Sequence, residues 1–330
     1  MYIHKGAFPK ISIVTPSFNQ GMFLEQTICS VLDQKYPNLE YIIIDGGSKD
    51  NSIEIIKRYE KYLTYWVSEK DKGHSNALNK GFAKTTGEIM AWINSDDMYL
   101  PNSFLTVARI FNELPEVKWL TGKHGNWNKD GRFLGDVVVY RNMYDFICGK
   151  YKEGWIQQES TFWKRELWTK SGAYLDENIK LSVDTELWTR FFLFEELWHV
   201  NTVLAGYRIH NTNRAKLYRN KLLEETDEVV KIMIDNLTDS GKLIEKFNRV
   251  LGGDIQLENS EDFYYNVINV NSDKVEKGKV SYFLWNALNS KEFAAKLYNE
   301  YCTNNGCINT FKYHEIRRKI YKLYKKLSSK

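Results

Sequence analysis

In the N-terminal part of the chain, short apolar runs alternate with segments of helical pattern. Each run is too short for a helix and lies between turn residues, so it predicts a buried strand. In the intervening segments apolar residues recur at helical spacing, as Leu24, Ile28 and Val31 do. Strands that alternate with helices predict right-handed βαβ units and a mostly parallel sheet, the arrangement of an α/β protein. The predicted strands are residues 10–15, 39–44, 65–68 and 89–93.

The alternation is lost after Pro115, and the second half of the chain has a mixed pattern. Lys129-Asp130-Gly131 is a hairpin turn signal between two strand-like flanks. From about residue 211 onward the chain is rich in Lys, Glu and Asn and shows helical periodicity. The elements predicted in this half are strands at 117–121, 156–163 and 198–208 and a helix at 183–194.

These patterns predict a Rossmann-like, mostly parallel sheet flanked by helices, followed by a mainly helical C-terminal extension. The main domain is predicted to cover residues 1–212, with one half at about 8–115 and the other at about 116–212, and the extension covers 213–330. Residues 311–330 hold eight Lys or Arg and one acid, with an apolar stripe at helical spacing. This pattern is typical of a basic amphipathic helix at a membrane surface, and it fits equally well a terminal helix docked on the body with a solvated basic face.

The composition narrows the classes of function. With 43% hydrophobic residues the 330-residue chain can build a large core, and 46 Lys and Arg against 42 Asp and Glu leave a net charge of +4. This balance argues against a dedicated nucleic-acid binder. The four cysteines have no CxxC spacing, which favours free thiols in a reducing compartment. The sequence shows no signal-peptide pattern and no run of 18 apolar residues, which favours a cytoplasmic protein and leaves attachment to a membrane surface open.

The predicted strand at 89–93 ends in Asn94-Ser95 and two adjacent carboxylates, Asp96 and Asp97. Ligands collect at the carboxyl ends of strands in open α/β sheets. Two neighbouring carboxylates repel each other unless a cation or strong donors neutralise them, and their oxygens suit Mg²⁺ or Mn²⁺. The alternative is that one of the two aspartates caps the helix that starts near Pro101.

Two other strand ends, residues 16–19 and 45–47, are predicted to lie at the same edge of the sheet. An aromatic ring in the first could stack on a base, and a carboxylate in the second could accept a hydrogen bond from a base or ribose. With a metal at Asp96 and Asp97, these features predict a pocket for a nucleotide diphosphate. Neither G-x-G-x-x-G nor a P-loop follows the first strand, which argues against dinucleotide binding and P-loop chemistry.

A series of short stretches within residues 8–212 resembles glycosyltransferase family 2, the inverting nucleotide-sugar transferases of the GT-A fold. The stretches are Ile11–Asn19, Ser30–Gln34, Tyr41–Asp50, Asp71–Gly81, Thr86–Glu88, Asn94–Asp97, Gln158–Trp163, Asp184–Arg190 and Tyr207–His210. The sequence departs from the family pattern at Val183, where many relatives carry an acid, and at Asn76, where related sequences often have Asp. The second departure leaves the donor sugar open.

The resemblance implies a role for individual residues. Phe18 and Asp45 would hold the base, Asp96 would contact the ribose or the metal, and Asp97 would be the main ligand of Mn²⁺ or Mg²⁺. His210 would complete the metal site, although an ordinary hydrogen-bonded histidine is equally compatible. Asp184 would be the general base. The residues implied to bind the donor nucleotide are Pro16, Ser17, Phe18, Asp45, Lys72, Asn79, Ser95 and Asp96.

The chemistry of the reaction supports Asp184 independently. Inverting transfer needs one carboxylate to take the proton of the acceptor hydroxyl, while a metal stabilises the departing diphosphate. No covalent nucleophile is required. The alternative role for Asp184 is that of a helix N-cap above Leu187, Trp188 and Phe191.

We therefore expect a metal-dependent inverting hexosyltransferase that moves a sugar from a nucleotide diphosphate, a UDP-sugar in the first instance, to a saccharide hydroxyl. The acceptor would be a cell-surface polysaccharide, a lipopolysaccharide-type glycan or a lipid-linked saccharide. Residues 311–330 would bring the enzyme to an anionic surface on the inner face of the cell membrane, and a homodimer is left open.

Two rival functions remain. A sugar nucleotidyltransferase would share the sheet and the metal carboxylates, but it normally needs a Gly-rich basic loop after the first strand. A saccharide-binding or scaffold protein with a relict site would tolerate the loss of Asp97 or Asp184, and both residues are present.

Overall fold

The computed structural model describes residues 8–147, 150–239, 264–270 and 274–281 of the chain. The predicted basic helix at 311–330 lies outside these residues. Within the described ranges, no helix combines the length and the apolar character needed to cross a membrane.

The first part of the chain follows the predicted alternation of strands and helices. β1 pairs in parallel with β2 and with β4, and β2 pairs in parallel with β3. Every position of β1 is buried, as expected for a central parallel strand that is covered on both faces. The elements are β1 (Ile11–Ser17), α1 (Gly21–Leu32), β2 (Leu39–Asp45), α2 (Ser52–Tyr59), β3 (Tyr65–Ser68), α3 (His74–Phe82), β4 (Ile89–Trp92), β5 (Met98–Tyr99) and α4 (Ser103–Glu113).

Strands of both directions follow α4. The elements are β6 (Trp119–Trp127), β7 (Phe133–Val137), α5 (Met143–Ile147), β8 (Thr161–Lys164), α6 (Arg165–Lys170), α7 (Val183–Phe192), β9 (Trp198–Arg208), α8 (Arg214–Leu217), α9 (Arg219–Asp239), β10 (Tyr264–Val270) and β11 (Val275–Ser281). β6 and β9 run parallel, whereas β8 runs antiparallel to β4 and β6. β8 thereby joins the two halves into one sheet of order β11-β10-β9-β6-β8-β4-β1-β2-β3. The predicted hairpin turn at 129–131 is confirmed, since it connects the antiparallel pair β6 and β7.

Two elements differ from the sequence prediction. The predicted strand at 156–163 is a strand only from Thr161 onward, because Gln158–Ser160 forms a 3₁₀ turn. The Gln157 side chain bonds both the N–H and the C=O of Gly125, at 3.0 and 2.8 Å, so a side chain makes the bonds that a strand would make. The region after residue 212 contains α8 and α9, as predicted, but also the hairpin β10–β11, which extends the sheet because β10 pairs with β9.

Four tryptophans form the centre of the core between the sheet and α7. Trp92, Trp119, Trp163 and Trp188 are each at most 1% exposed. The Trp188 ring stacks on Trp92 and Trp119 at centroid distances of 5.8 and 5.5 Å, and Trp163 meets it edge-on at 5.7 Å. Such aromatic pairs contribute about 0.5–1.5 kcal/mol each beyond the area that they bury. This packing fixes α7 on the sheet and therefore fixes the position of its first turn.

Candidate active site

Three parallel strands end side by side. In the register of β1 with β2, Ser17 lies opposite Asp45, and in the register of β1 with β4, Val14 lies opposite Trp92. The loops that follow β1, β2 and β4 therefore meet at one edge of the sheet. The predicted convergence of these three strand ends is confirmed, and it is the place where α/β sheets bind ligands.

The loop after β1 presents an exposed aromatic ring. Phe18 is 59% exposed, whereas Pro16 and Ser17 are buried within β1, and Ser17 Oγ has no hydrogen-bond partner among the described residues. Asn19 has a left-handed φ of 52° and fixes the loop, because its Oδ1 accepts the Lys49 N–H at 2.8 Å. A ring held in water by a fixed loop is suited to stacking on a planar base.

The carboxylate of Asp45, predicted to hold the base, is engaged by its own surroundings. Asp45 is fully buried, and four donors lie between 2.5 and 3.1 Å from its oxygens. The donors are the main-chain N–H groups of Gly47 and Ser48 and the hydroxyls of Ser48 and Ser68. Asp71 lies at the same strand end, since a Cβ on Gly46 would be 2.7 Å from its Oδ2. Asp71 is partly exposed and is thus the more accessible carboxylate at this point.

Asp96 and His210 meet at the end of β4. His210 Nε2 lies 3.0 Å from Asp96 Oδ2, and Nδ1 lies 2.9 Å from Thr212 Oγ1. The imidazole is 5% exposed and packs against the Phe23 ring with centroids 4.6 Å apart. Asp96 keeps part of its side chain exposed. A carboxylate and an imidazole that are distant in sequence are therefore held together at the edge of the sheet.

Asp97 points the other way, into the protein. It is 1% exposed, its Oδ1 accepts the Arg208 N–H at 2.8 Å, and its carboxyl group is hydrogen-bonded to Glu159. Burial, together with the nearby charges of Glu159 and Asp96, raises the pKa of Asp97 well above its usual value. Burial also raises the pKa of Glu159, to about 7. Burial and nearby negative charges thus oppose the ionisation of both carboxyl groups.

Arg208, the last residue of β9, fixes the turn that carries both aspartates. Its side chain is fully buried, and its Nε donates to the Asp96 carbonyl at 2.5 Å. One Nη donates to the Gln26 side chain at 2.5 Å, and the guanidinium lies over the Phe23 ring at 5.0 Å. The orientation of Asp96 is therefore set by residues from β9 and α1.

Three further residues predicted to contact the donor have different surroundings. Asn79 bonds both main-chain groups of Leu175, at 2.8 and 2.9 Å, and so ties α3 to the loop before α7. Lys72 is exposed in the loop between β3 and α3, and Ser95 is buried in the turn between β4 and β5. Their predicted roles remain predictions, but Lys72 alone of the three is exposed.

Asp184 lies in the first turn of α7. Its Oδ1 accepts the Thr185 N–H at 2.7 Å, and its side chain is partly exposed. Burial raises the pKa of Asp184 to about 6. The charges of Asp184 and Asp96 both raise the pKa of Glu159, so each of these two aspartates lies within electrostatic reach of Glu159. Glu159 was not predicted as a site residue, although it belongs to the Gln-Glu-Ser stretch quoted above.

The potential metal ligands at this edge of the sheet fit a divalent ion that binds together with the nucleotide substrate. Within the described ranges, no group of three or more His, Cys, Asp or Glu side chains is arranged to hold a metal. Asp96 and His210 offer two potential ligand atoms that lie 3.0 Å apart, of which His210 Nε2 also contacts Asn213 Nδ2 at 2.9 Å. Divalent ions in nucleotide-binding enzymes are commonly held by one or two protein groups and completed by phosphate oxygens and water. The pair therefore fits an ion that is bound jointly with a diphosphate.

Comparison with known proteins agrees with this geometry. The family model described as glycosyl transferase family 2 matches residues 12–198. The chain belongs to this family. It is a glycosyltransferase, and the predicted family and GT-A-type fold are confirmed.

Relatives in the family share the matched region. A glycosyltransferase of Rickettsia prowazekii, RP339, is 26% identical over 236 residues, which cover 66% of this chain and 70% of the relative. A glycosyltransferase of Mycobacterium tuberculosis, Rv1514c, is 37% identical over 206 residues, which cover 60% of this chain and 75% of the relative.

Among solved structures, S. aureus TarS 1–349 in complex with UDP-GlcNAc superposes with a TM-score of 0.53 at 15% identity, covering 68% of this chain and 66% of that chain. The longer TarS structure gives a TM-score of 0.54 at 16% identity, covering 76% of this chain and 46% of that chain. This chain thus spans less than two thirds of either TarS chain, and at these identities the likeness shows the fold alone.

Proposed function

We propose that this member of family 2 transfers a sugar, with inversion, from a nucleotide diphosphate to a hydroxyl of a saccharide acceptor in a metal-dependent reaction. One observation carries the proposal. Glu159 lies within electrostatic reach of both Asp96 and Asp184, which supports assigning the candidate metal pair and the candidate base to one site. The donor would lie between them, with its diphosphate toward Asp96 and its sugar toward Asp184.

The base of the donor would bind at the ends of β1 and β2. Phe18 offers an exposed ring for stacking, and Asp71 offers a partly exposed carboxylate for a hydrogen bond. The geometry favours Asp71 over the predicted Asp45, because Asp45 already accepts four hydrogen bonds. A UDP-sugar is the first donor to test, since TarS, which shares the fold, binds UDP-GlcNAc.

The metal would be held by Asp96 and His210. A bound divalent ion would neutralise the diphosphate and stabilise it as the leaving group. The sequence predicted Asp97 as the main ligand, but Asp97 is buried and bonded to Arg208 and Glu159. Asp96 is partly exposed and already in contact with the imidazole, so the surroundings favour it over Asp97.

Asp184 would act on the acceptor. It would take the proton of the acceptor hydroxyl while that oxygen bonds the anomeric carbon and the bond from this carbon to the diphosphate oxygen breaks. A pKa of about 6 suits this task, because the carboxylate is ionised at neutral pH yet more basic than an exposed aspartate. The partly exposed side chain can be reached by an acceptor from solvent.

The experiment is a panel of nucleotide sugars with Mn²⁺ or Mg²⁺, following release of the nucleoside diphosphate with and without saccharide acceptors. Wild type, Asp184→Asn and the control Glu60→Gln, which changes an exposed carboxylate, are run together. We expect turnover of one donor, a loss of about 10²- to 10⁴-fold in Asp184→Asn, and no change in the control.

Other outcomes would contradict the proposal. An unchanged rate in Asp184→Asn would remove the proposed base. Release of pyrophosphate from a nucleoside triphosphate and a sugar phosphate would identify a nucleotidyltransferase instead. Retained nucleotide binding without turnover would favour the saccharide-binding alternative, and no metal-linked affinity for any nucleotide would overturn the transferase reading.

We further propose a cytoplasmic enzyme that works at the inner face of the cell membrane on a surface glycan or a lipid-linked saccharide. The support is the basic amphipathic pattern of residues 311–330, which would be attracted to anionic lipid. The test compares the full chain with a chain that ends at residue 310 for binding to anionic and neutral liposomes. Equal binding of the two chains to anionic liposomes would contradict this placement.

A further inference from the structure

Three main-chain N–H groups of the segment that leads into α7 are bonded by one carboxylate of α9. Glu225 Oε1 accepts the Lys180 N–H at 2.9 Å, and its Oε2 accepts the N–H groups of Leu181 and Ser182 at 2.6 and 2.7 Å. Both oxygens of one carboxylate are thus bonded to three consecutive main-chain groups. The last of these groups, that of Ser182, lies two residues before Asp184.

The residue at the start of α7 is also bonded to α9. Ser182 precedes the first residue of the helix, and its hydroxyl makes no capping bond to α7. Instead, Ser182 Oγ bonds Thr226 Oγ1 at 2.6 Å and the Leu222 carbonyl at 3.1 Å. The first turn of α7 is therefore oriented by contacts with another helix rather than by a cap of its own.

A carboxylate at this point has a clear physical effect. The N-terminal end of a helix carries unpaired N–H groups and partial positive charge, so a negative group beside it is stabilising. Charged hydrogen bonds to main-chain N–H groups are stronger than neutral ones and restrict the chain more tightly. Glu225 therefore fixes the backbone from which the Asp184 side chain projects.

We infer that Glu225 is a positioning residue for the candidate base Asp184, an inference that rests on the proposed function of that base. Glu225 lies outside residues 12–198, the part of the chain that the family model matches. The catalytic arrangement thus depends on a helix beyond the matched region. Its influence is electrostatic as well as geometric, because the charge of Glu225 adds to burial in raising the pKa of Asp184.

The experiment compares Glu225→Gln and Glu225→Ala with Glu224→Gln, which removes a neighbouring exposed carboxylate of α9. Steady-state release of nucleoside diphosphate is measured against pH with the donor that wild type turns over. We expect kcat to fall about tenfold or more in Glu225→Ala and less in Glu225→Gln, with the KM for the donor unchanged. Loss of the Glu225 charge moves the acidic limb of the pH profile to lower pH, and Glu224→Gln behaves as wild type.

A second measurement does not require turnover. The difference in melting temperature between wild type and Asp184→Asn changes with pH between the unfolded-state and the folded-state pKa of Asp184, so the pH at which it levels off reports the folded-state pKa. The same difference is measured in the Glu225→Gln background. We expect it to level off at a lower pH, because the charge of Glu225 is then absent while that of Glu159, which also lies within electrostatic reach of Asp184, remains.

The outcomes separate this inference from the proposed function. An unchanged kcat and an unchanged pH profile in both Glu225 variants would overturn the inference, as would a loss of kcat that adds fully to that of Asp184→Asn in the double variant. If Asp184→Asn itself retains turnover, the proposed function fails. The melting-temperature difference then still decides whether Glu225 controls Asp184, and a difference that levels off at the same pH with and without the Glu225 charge would overturn that control.

Discussion

At the scale of the residue, Asp96 and Asp97 are neighbours in sequence with opposite environments. Asp96 is partly exposed and contacts His210, whereas Asp97 is 1% exposed and hydrogen-bonded to Glu159. The raised pKa of Asp97 shifts its equilibrium toward the neutral acid relative to an exposed aspartate, and asparagine resembles a neutral acid in shape and hydrogen bonding. The two positions should therefore respond differently to the same substitution.

We expect Asp96→Asn to weaken the binding of Mn²⁺ in the presence of a nucleoside diphosphate by at least about 10-fold, since even the residues that only orient metal ligands contribute about 10- to 100-fold. Asp97→Asn should weaken it less than Asp96→Asn does, because an amide can still accept the Arg208 N–H and donate to Glu159. Titration calorimetry on both variants measures this. A larger effect of Asp97→Asn than of Asp96→Asn would instead indicate that Asp97 is the main metal ligand, as the sequence predicted.

Asp184 should make the stability of the protein depend on pH in a defined direction. Its pKa is about 6 in the folded protein against 3.8 for an ordinary aspartate, so the folded state binds the proton more tightly than the unfolded state. Stability from this group is therefore fully present below about pH 4 and is lost as the pH rises through 6. The Asp184→Asn variant does not show this loss of stability with rising pH, because asparagine does not ionise.

The measurement is the melting temperature of Asp184→Asn and of wild type at pH 4.5 and pH 7.5. We expect the melting temperature of the variant to rise relative to that of wild type from pH 4.5 to pH 7.5. Other titrating groups, such as Glu159, are common to both proteins and do not produce this difference. The same sign predicts that kcat rises with pH through about 6. A difference in melting temperature that does not change with pH would contradict the raised pKa.

The sequence was sufficient to place an aromatic ring at one strand end and carboxylates at two others, but not to show which carboxylate oxygens are free. Asp45 follows a buried strand and was expected to bind the base, yet one of its four donors comes from Ser68, on another strand. Asp97 is bonded by the main chain of Arg208, 111 residues away in sequence. Such contacts depend on how distant strands are paired, which local pattern does not encode.

At the scale of the element, α3 packs closely on the sheet through Gly81. A Cβ on Gly81 would lie 2.4 Å from Val14 Cγ1 and 3.2 Å from Ile44 Cγ1, and both side chains are fully buried. Replacing glycine by alanine inside a helix gains about 1 kcal/mol from helix propensity. Overpacking of a well-packed core costs about 1–3 kcal/mol, so the clash should dominate.

We accordingly expect Gly81→Ala to lower the free energy of unfolding, measured by urea denaturation. The matched test is the pair Gly81→Ala and Val14→Ala, because the second change removes the atoms that the new methyl group would meet. The double variant should be less destabilised than the sum of the two single variants. If the destabilisation of the double variant equalled the sum for the two single variants, the new methyl group at residue 81 would not be in conflict with Val14, and α3 would have shifted away from the sheet.

The turn before β8 shows why the strand predicted at 156–163 begins only at Thr161. Residues 156–163 have the apolar content of a strand, but Gln157 and Gln158 bond main-chain groups with their side chains. Gln158 Nε2 donates to the Trp92 carbonyl at 2.7 Å, so a side chain rather than a neighbouring strand bonds this carbonyl at the end of β4. The polarity of these residues was visible in the sequence, whereas the partners that make a 3₁₀ turn favourable were not.

At the scale of the whole molecule, chain beyond residue 212 is part of the same sheet and core. β10 pairs in parallel with β9, with Asn266 opposite Trp198, and α9 packs on α7. The βαβ pattern of the first half could be predicted because its strands and helices alternate along the chain with clear local patterns, although β1 also pairs with β4 out of chain order. The pairing of β9 with β10 joins segments separated by α8 and α9, and helical periodicity gave no sign of it.

This arrangement bears on the predicted boundary at residue 212. Val230, Met233 and Leu237 of α9 are at most 4% exposed and belong to the main core. Burying one such side chain contributes about 1.5–3 kcal/mol, and a domain has a net stability of about 5–15 kcal/mol. Removing α9 therefore removes a burial free energy comparable to the entire net stability of a domain.

We expect a chain of residues 1–281 to unfold in one cooperative thermal transition and a chain of residues 1–212 to show no such transition or to aggregate. Calorimetry of the two chains under the same conditions measures this. Because Glu225 lies on α9, the shorter chain also lacks the group that fixes the first turn of α7. A cooperative transition of the 1–212 chain at the melting temperature of the longer one would instead mean that the family-matched region folds by itself, and that α9 is added to a site that is already formed.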